Sequence, residues 1–202
     1  MVRRPVVTPG HHRALGSALS LLLFLTAIHA TPAALEAQAS SVVLVRHAEK
    51  VDTTRDPALS TAGTVRAEAL RAALAAYPLQ GIFVSEYGRT AQTATPTADA
   101  FHLTPTVIPI QGSKSAQAAA TAAAIHAMRP GSAALVIGHS NTVGMIIAAL
   151  GGPQVPELCD MEYATLFVLE LPADLPPRLL RASFGAPDSP EVMACHAAAA
   201  QQ

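Results

Sequence analysis

Short runs of apolar, β-branched residues recur along the chain, each followed by residues spaced for a helix. Residues 41–45 (SVVLV) place apolar side chains on both alternating sets of positions, the pattern of a strand buried on both faces. Ser60 or Thr61 then offers a helix cap. Leu70, Ala73, Leu74 and Tyr77 fall at i, i+3, i+4 and i+7, and Pro78 ends the segment. A second buried strand is predicted at 82–84 (IFV), followed by a helix from Gly88 or Arg89 to about His102, in which Pro96 predicts a kink or a break. Residues 106–108 read as a third strand and 115–128 as an alanine-rich helix closed by Pro130 and Gly131. Residues 133–137 (AALVI) form a fourth strand. Val143, Ile146, Ile147 and Leu150 then share a helix face that stops at Gly151, Gly152 and Pro153. Residues 165–171 and 179–184 are predicted to be paired edge strands. Strands alternating with helices predict an α/β protein, its largely parallel sheet covered on both sides.

The first 39 residues depart from that alternation. Arg3, Arg4 and Arg13 make a basic start, residues 14–30 are almost wholly apolar, and Ala37, Gln38 and Ala39 offer a small-residue cleavage site. That order predicts a secretory signal at 1–39 and a mature domain at 40–202, of which about 186–202 is a C-terminal tail. The apolar run is short and interrupted beside the roughly 20 residues of a membrane span, so no membrane association is expected once the signal is removed. Export implies a periplasmic or extracellular setting. The two cysteines, Cys159 and Cys195, could there close a disulfide stapling the tail to the body; the alternative is two unrelated thiols. A formal net charge of -1, with 13% charged residues, provides no basic field for nucleic acid.

Ligands of parallel α/β sheets sit beyond the carboxyl ends of the strands. Arg46 and His47 follow the first strand, Ser85 to Arg89 the second, and Gly138 and His139 the fourth. A neutral imidazole is a competent nucleophile near neutral pH. Arginine offers forked donors to a phosphate and keeps its charge. Two histidines and two arginines at strand ends therefore form a coherent anion site that needs no metal or cofactor: His47 as nucleophile, with Arg46, Arg89 and His139 as phosphate ligands.

The motifs carrying these residues resemble those of the histidine phosphatase superfamily, also called phosphoglycerate mutase-like. Residues 45–50 (VRHAEK) are similar to its R-H-G/A-E signature, and 56–63 (DPALSTAG) to its L-[ST]-x-x-G helix start. Residues 85–94 (SEYGRTAQTA) look like its S-x-x-x-R-[AT]-x-Q-T-A segment. Residues 138–142 (GHSNT) match the second-histidine block of small exported members, which the stretch 162–168 also resembles. The resemblance implies a three-layer α/β/α fold, a small phosphorylated substrate and a covalent phosphohistidine on His47, bound by Arg46, Arg89 and His139. Hydrolysis of a phosphomonoester or a phosphohistidine-type group is expected. Mutase-type transfer is the alternative, disfavoured because few basic residues lie outside the motifs.

Two departures from the family pattern stand out. Ala48 replaces the commoner glycine, and residues 107–112 (VIPIQG) carry no carboxylate where many members place a general acid. Glu86 is the candidate donor; the opposing reading is a solvated loop carboxylate paired with an arginine. A serine hydrolase is the rival from another class, since Ser140 follows a strand and precedes a helix. It requires Asp160, Asp174 or Asp188 with His196 as partners, and position 142 is threonine where a small residue belongs. A non-catalytic phosphate-binding module would keep the arginines without a free imidazole. His102, His126 and His196 show no metal-ligand spacing.

Overall fold

The structure, a computed structural model, describes residues 40–199. The signal predicted at 1–39 lies outside the described residues. Six strands, β1 (Ser40–Arg46), β2 (Leu79–Val84), β3 (Thr106–Val107), β4 (Ala133–Gly138), β5 (Thr165–Leu171) and β6 (Arg178–Ser183), form one sheet in the order β3-β2-β4-β1-β5-β6. β3, β2, β4 and β1 run parallel, while β5 pairs antiparallel with β1 and with β6, so the sheet is mixed and mostly parallel. β5 is consequently interior and the sheet's edges are β3 and β6, whereas the pattern of the sequence predicts edge strands at both 165–171 and 179–184.

The helices are α1 (Thr61–Ala73), α2 (Gly88–Phe101), α3 (Lys114–His126), α4 (Val143–Ala149) and α5 (Glu191–Ala199). Alternation along the strands assigns side chains to two cores. Val42, Leu44, Ala134 and Val136 pack with Ala118, Ala122 and Ile125 of α3 and with Val143, Ile146 and Ile147 of α4. Val43, Val45, Leu135 and Ile137 pack with Leu70 of α1 and with Ala94 and Ala98 of α2. The result is the α/β/α sandwich, its central strands apolar on both faces because both are covered.

Local chemistry sets the helix ends. The Ser60 hydroxyl caps α1 by accepting from the Gly63 N–H at 3.1 Å. A Cβ at position 63 would collide with the carbonyl oxygen of Glu49, so glycine here lets α1 approach the loop after β1. Arg66 secures the same junction, pairing with Glu49 at 2.7 Å and donating to the carbonyls of Phe184 and Ala186. α2 runs through Pro96 without a break. Buried Thr93, Ala94, Thr97 and Ala98 hold its inner face, and that packing outweighs the one helical hydrogen bond proline removes. α5 occupies the tail that has no amphipathic pattern in the sequence. The Cys159–Cys195 disulfide and the buried Val192 fix it to the body. Closing a 36-residue separation is worth about 3–4 kcal/mol in the chain-entropy account. Among the described residues, no helix is long and apolar enough to cross a membrane.

Candidate active site

Strand order places the three motif-bearing ends side by side, since β2, β4 and β1 are neighbours and Arg46 stands in register with Gly138. The His47 N–H extends the ladder by donating to the Gly138 carbonyl at 2.9 Å. The two imidazoles thereby meet edge to face, ring centres 5.3 Å apart, and both are almost fully buried.

Nδ1 of His47 lies 2.8 Å from the Ala48 carbonyl oxygen. A carbonyl accepts only, so Nδ1 carries the proton and Nε2 keeps its lone pair. Burial pushes the His47 pKa down to about 3. The Ala48 bond opposes that shift, while Arg46, His139 and Arg89 add to it. His139 is likewise lowered to about 3, first by burial and then by Arg89 and Arg46. Both rings are neutral at pH 7. Arg89 Nη2 lies 3.3 Å from His139 Nδ1, and a guanidinium donates only. His139 therefore carries its proton on Nε2, which donates to Ser85 Oγ at 2.9 Å.

Each arginine is held by backbone oxygen and an aromatic face. Arg46 Nη1 donates to the carbonyls of Cys159 at 2.8 Å and Asp160 at 2.7 Å, and more weakly to Glu162 at 3.4 Å. Its guanidinium carbon stands 4.3 Å over the Tyr163 ring, which is itself 6.2 Å from the His47 ring. Arg89 stands 4.3 Å over Tyr87, whose ring meets His139 edge on. Arg89 Nη1 reaches the Arg55 carbonyl at 3.3 Å and Asp56 at 3.4 Å. The Asp56 carboxylate also accepts from the Gly88 N–H, the first residue of α2. The Nε–H groups of both Arg46 and Arg89 are buried without a partner among the described residues. A buried donor left unpaired is costly, and two flanking a histidine pair suit an oxyanion.

Arg46, His47, Arg89 and His139 are thus brought together. Glu86 is exposed, and its carboxylate accepts from the Ile110 N–H at 3.0 Å instead of pairing with an arginine. Sequence reasoning did not single out Tyr87, Tyr163, Ser85 or Asp56. All four lie inside quoted motifs, so position within a motif was the available signal. The serine-hydrolase constellation is not assembled. Ser140 Oγ points to Glu157 at 3.4 Å, Asp188 accepts from the Tyr163 and Ala164 N–H groups, and His196 lies against Glu162. Cys159, Glu162 and His196 are the one grouping of three metal-ligating residue types among the described residues, and Cys159 is taken up in the disulfide.

Comparison with known proteins agrees with the fold. The family model described as histidine phosphatase superfamily (branch 1) matches residues 42–110. A search of curated proteins returned no match. Among solved structures, the proposed phosphohistidine phosphatase SixA from Nakamurella multipartitia is 25% identical with a TM-score of 0.51, covering 73% of this chain and 98% of its own. The protein histidine phosphatase SixA complexed with tungstate is 19% identical with a TM-score of 0.56, covering 71% and 96%. A mycobacterial glucosyl-3-phosphoglycerate phosphatase, in complex with inorganic phosphate, is 16% identical with a TM-score of 0.55, covering 72% and 97%. Fold, site and family match together define a phosphatase. Over residues 42–110 the chain is similar to the histidine phosphatase superfamily.

Proposed function

We propose that the protein is an exported phosphatase that moves a phosphoryl group through His47. The observation that carries this reading is a pair of neutral imidazoles 5.3 Å apart, flanked by two arginines with buried, unpaired Nε–H groups. In the first step His47 Nε2 attacks phosphorus, forming an N–P bond as the ester P–O bond breaks and the leaving oxygen departs. In the second, water attacks the phosphohistidine, the N–P bond breaks, and inorganic phosphate and neutral imidazole are regenerated. Charge on the equatorial oxygens is met by Arg46 and Arg89, and the Nε2–H of His139 turns from Ser85 to the phosphate. The oxyanions in the complexes named above support this reading. The apolar segment at 14–30 and the disulfide support export into an oxidising compartment.

Turnover of p-nitrophenyl phosphate by the mature chain tests the reading. Micromolar vanadate is expected to inhibit it, as a pentacoordinate mimic of the transition state. Ser140→Ala and chelator treatment are each expected to leave the rate within about twofold. Absence of both turnover and vanadate binding would overturn the assignment.

The leaving-group half of the reaction rests on Glu86 or on no residue at all. If Glu86 is the proton donor, Glu86→Gln lowers the rate on alkyl phosphates by about 10²-fold and barely affects p-nitrophenyl phosphate, whose leaving group needs no proton. Its tie to the Ile110 N–H favours a second outcome: similar small losses on both substrates, which remove Glu86 from the chemistry and point to substrates with good leaving groups.

A further inference from the structure

Glu162 is fully buried and ionisable, yet it touches none of the four residues assigned to phosphate chemistry through its side chain. Its Oε1 accepts from Thr165 Oγ1 at 2.6 Å and from Arg181 Nη2 at 2.6 Å. Its Oε2 accepts from the Cys159 N–H at 3.1 Å and lies 3.0 Å from His196 Nε2 on α5. A buried carboxylate is tolerated only with hydrogen-bond donors such as Thr165, Arg181 and the Cys159 N–H, and removing its partners is strongly destabilising. These donors gather the turn 159–162, β5 and β6 around one charge, with α5 packed against it.

The turn so gathered is the one that holds Arg46. Cys159 gives its N–H to Glu162 and its carbonyl to Arg46 Nη1, while Asp160 and Glu162 supply the other two carbonyls. The next residue, Tyr163, supplies the ring beneath the same guanidinium. Three carbonyl dipoles and an aromatic face fix a cation without neutralising it, so the full charge remains available to an anion. Such a cradle works only if its backbone is held, and the carboxylate inside the turn holds it. The Cys159–Cys195 disulfide fastens the same turn from outside.

We propose that Glu162 is a positioning residue for phosphate binding, acting on Arg46 through the 159–162 turn. The proposal rests on the phosphatase reading above. Glu162→Gln keeps one acceptor oxygen but sets an NH2 group against donors on the other side. The expected result is a rise of about tenfold in both the KM for p-nitrophenyl phosphate and the vanadate inhibition constant, with a smaller change in kcat. In an Arg46→Ala background the same substitution is expected to add less than about twofold, because the residue it positions is gone. A purely structural role would lower the melting temperature or the folded fraction and leave KM and the vanadate constant of the folded enzyme unchanged. Folded Glu162→Gln with both constants unchanged, or with an undiminished effect in the Arg46→Ala background, overturns the proposal. If Glu162→Gln does not fold, Arg181→Met decides. Arg181 is half exposed, and its loss removes one donor from Oε1. A rise of about twofold to threefold in both constants is expected there, and no rise sinks the proposal. A wild type without turnover or vanadate binding fails the phosphatase reading itself, an outcome distinct from a failure confined to the variants.

Discussion

His47→Ala is expected to lower kcat on p-nitrophenyl phosphate by about 10⁴-fold or more, the loss typical of removing a covalent nucleophile. The reason lies in how the ring is held. With Nδ1 committed to the Ala48 carbonyl, only Nε2 has a lone pair, and burial together with two arginines keeps that lone pair unprotonated well below pH 7. Among the described residues, Ser140 points to Glu157, and His139 has its own Nδ1 lone pair directed at Arg89. Brief mixing with labelled phosphomonoester, followed by quenching in base, is expected to leave an acid-labile phosphoryl group on wild-type protein and none on His47→Ala. His139→Ala differs in kind, because it removes a hydrogen-bond donor and leaves the nucleophile. About 10²- to 10³-fold is expected there, with labelling retained. Full labelling of His47→Ala would eliminate the phosphohistidine mechanism.

The residues that carry this chemistry were legible because each stands at a strand end that the apolar pattern already marks. Val42 to Val45 and Ala134 to Ile137 are buried on both faces, so the first polar residues beyond them, Arg46, His47 and His139, had to emerge at one rim of the sheet. Pairing of β1 with β4 could not be read in that way, since it depends on α3 crossing back over the sheet. Without it, nothing in the sequence sets the two imidazoles against each other. The tyrosines escaped for a related reason. Tyr87 and Tyr163 read as ordinary aromatic positions until the fold slides each beneath an arginine that comes, for Tyr163, from more than a hundred residues away. α5 was invisible because an alanine-rich tail has no apolar face to detect, and its anchors, the disulfide and Val192, act only in three dimensions. Pro96 misled in the opposite direction. The rule that proline interrupts a helix is local, and five buried residues on the inner face of α2 override it.

Acid is expected to destabilise the folded protein steeply between about pH 6.5 and pH 3, with His47 and His139 as principal contributors. Both have folded-state pKa values lowered to about 3, against about 6.5 in an unfolded chain. Above pH 6.5 neither state binds a proton at these positions and the two rings contribute no slope. Below it the unfolded chain takes up two protons that the native state refuses, so stability falls with pH until the folded values are reached. At pH 5 each ring is about 1.5 units below its unfolded pKa, which amounts to on the order of 2 kcal/mol apiece and 4 kcal/mol for the pair. That is a large part of the 5–15 kcal/mol typical of a domain. The histidine share is isolated by substitution. Urea titration of wild type and of His47→Asn/His139→Asn at pH 7.5, 6 and 5 does this. The wild-type midpoint is expected to fall progressively below pH 6.5, and the double variant to lose most of that fall whatever its stability at pH 7.5. Parallel pH profiles for the two proteins would mean that the rings titrate in the folded state near their ordinary value. The neutral imidazole on which His47 chemistry depends would then be lost in mild acid.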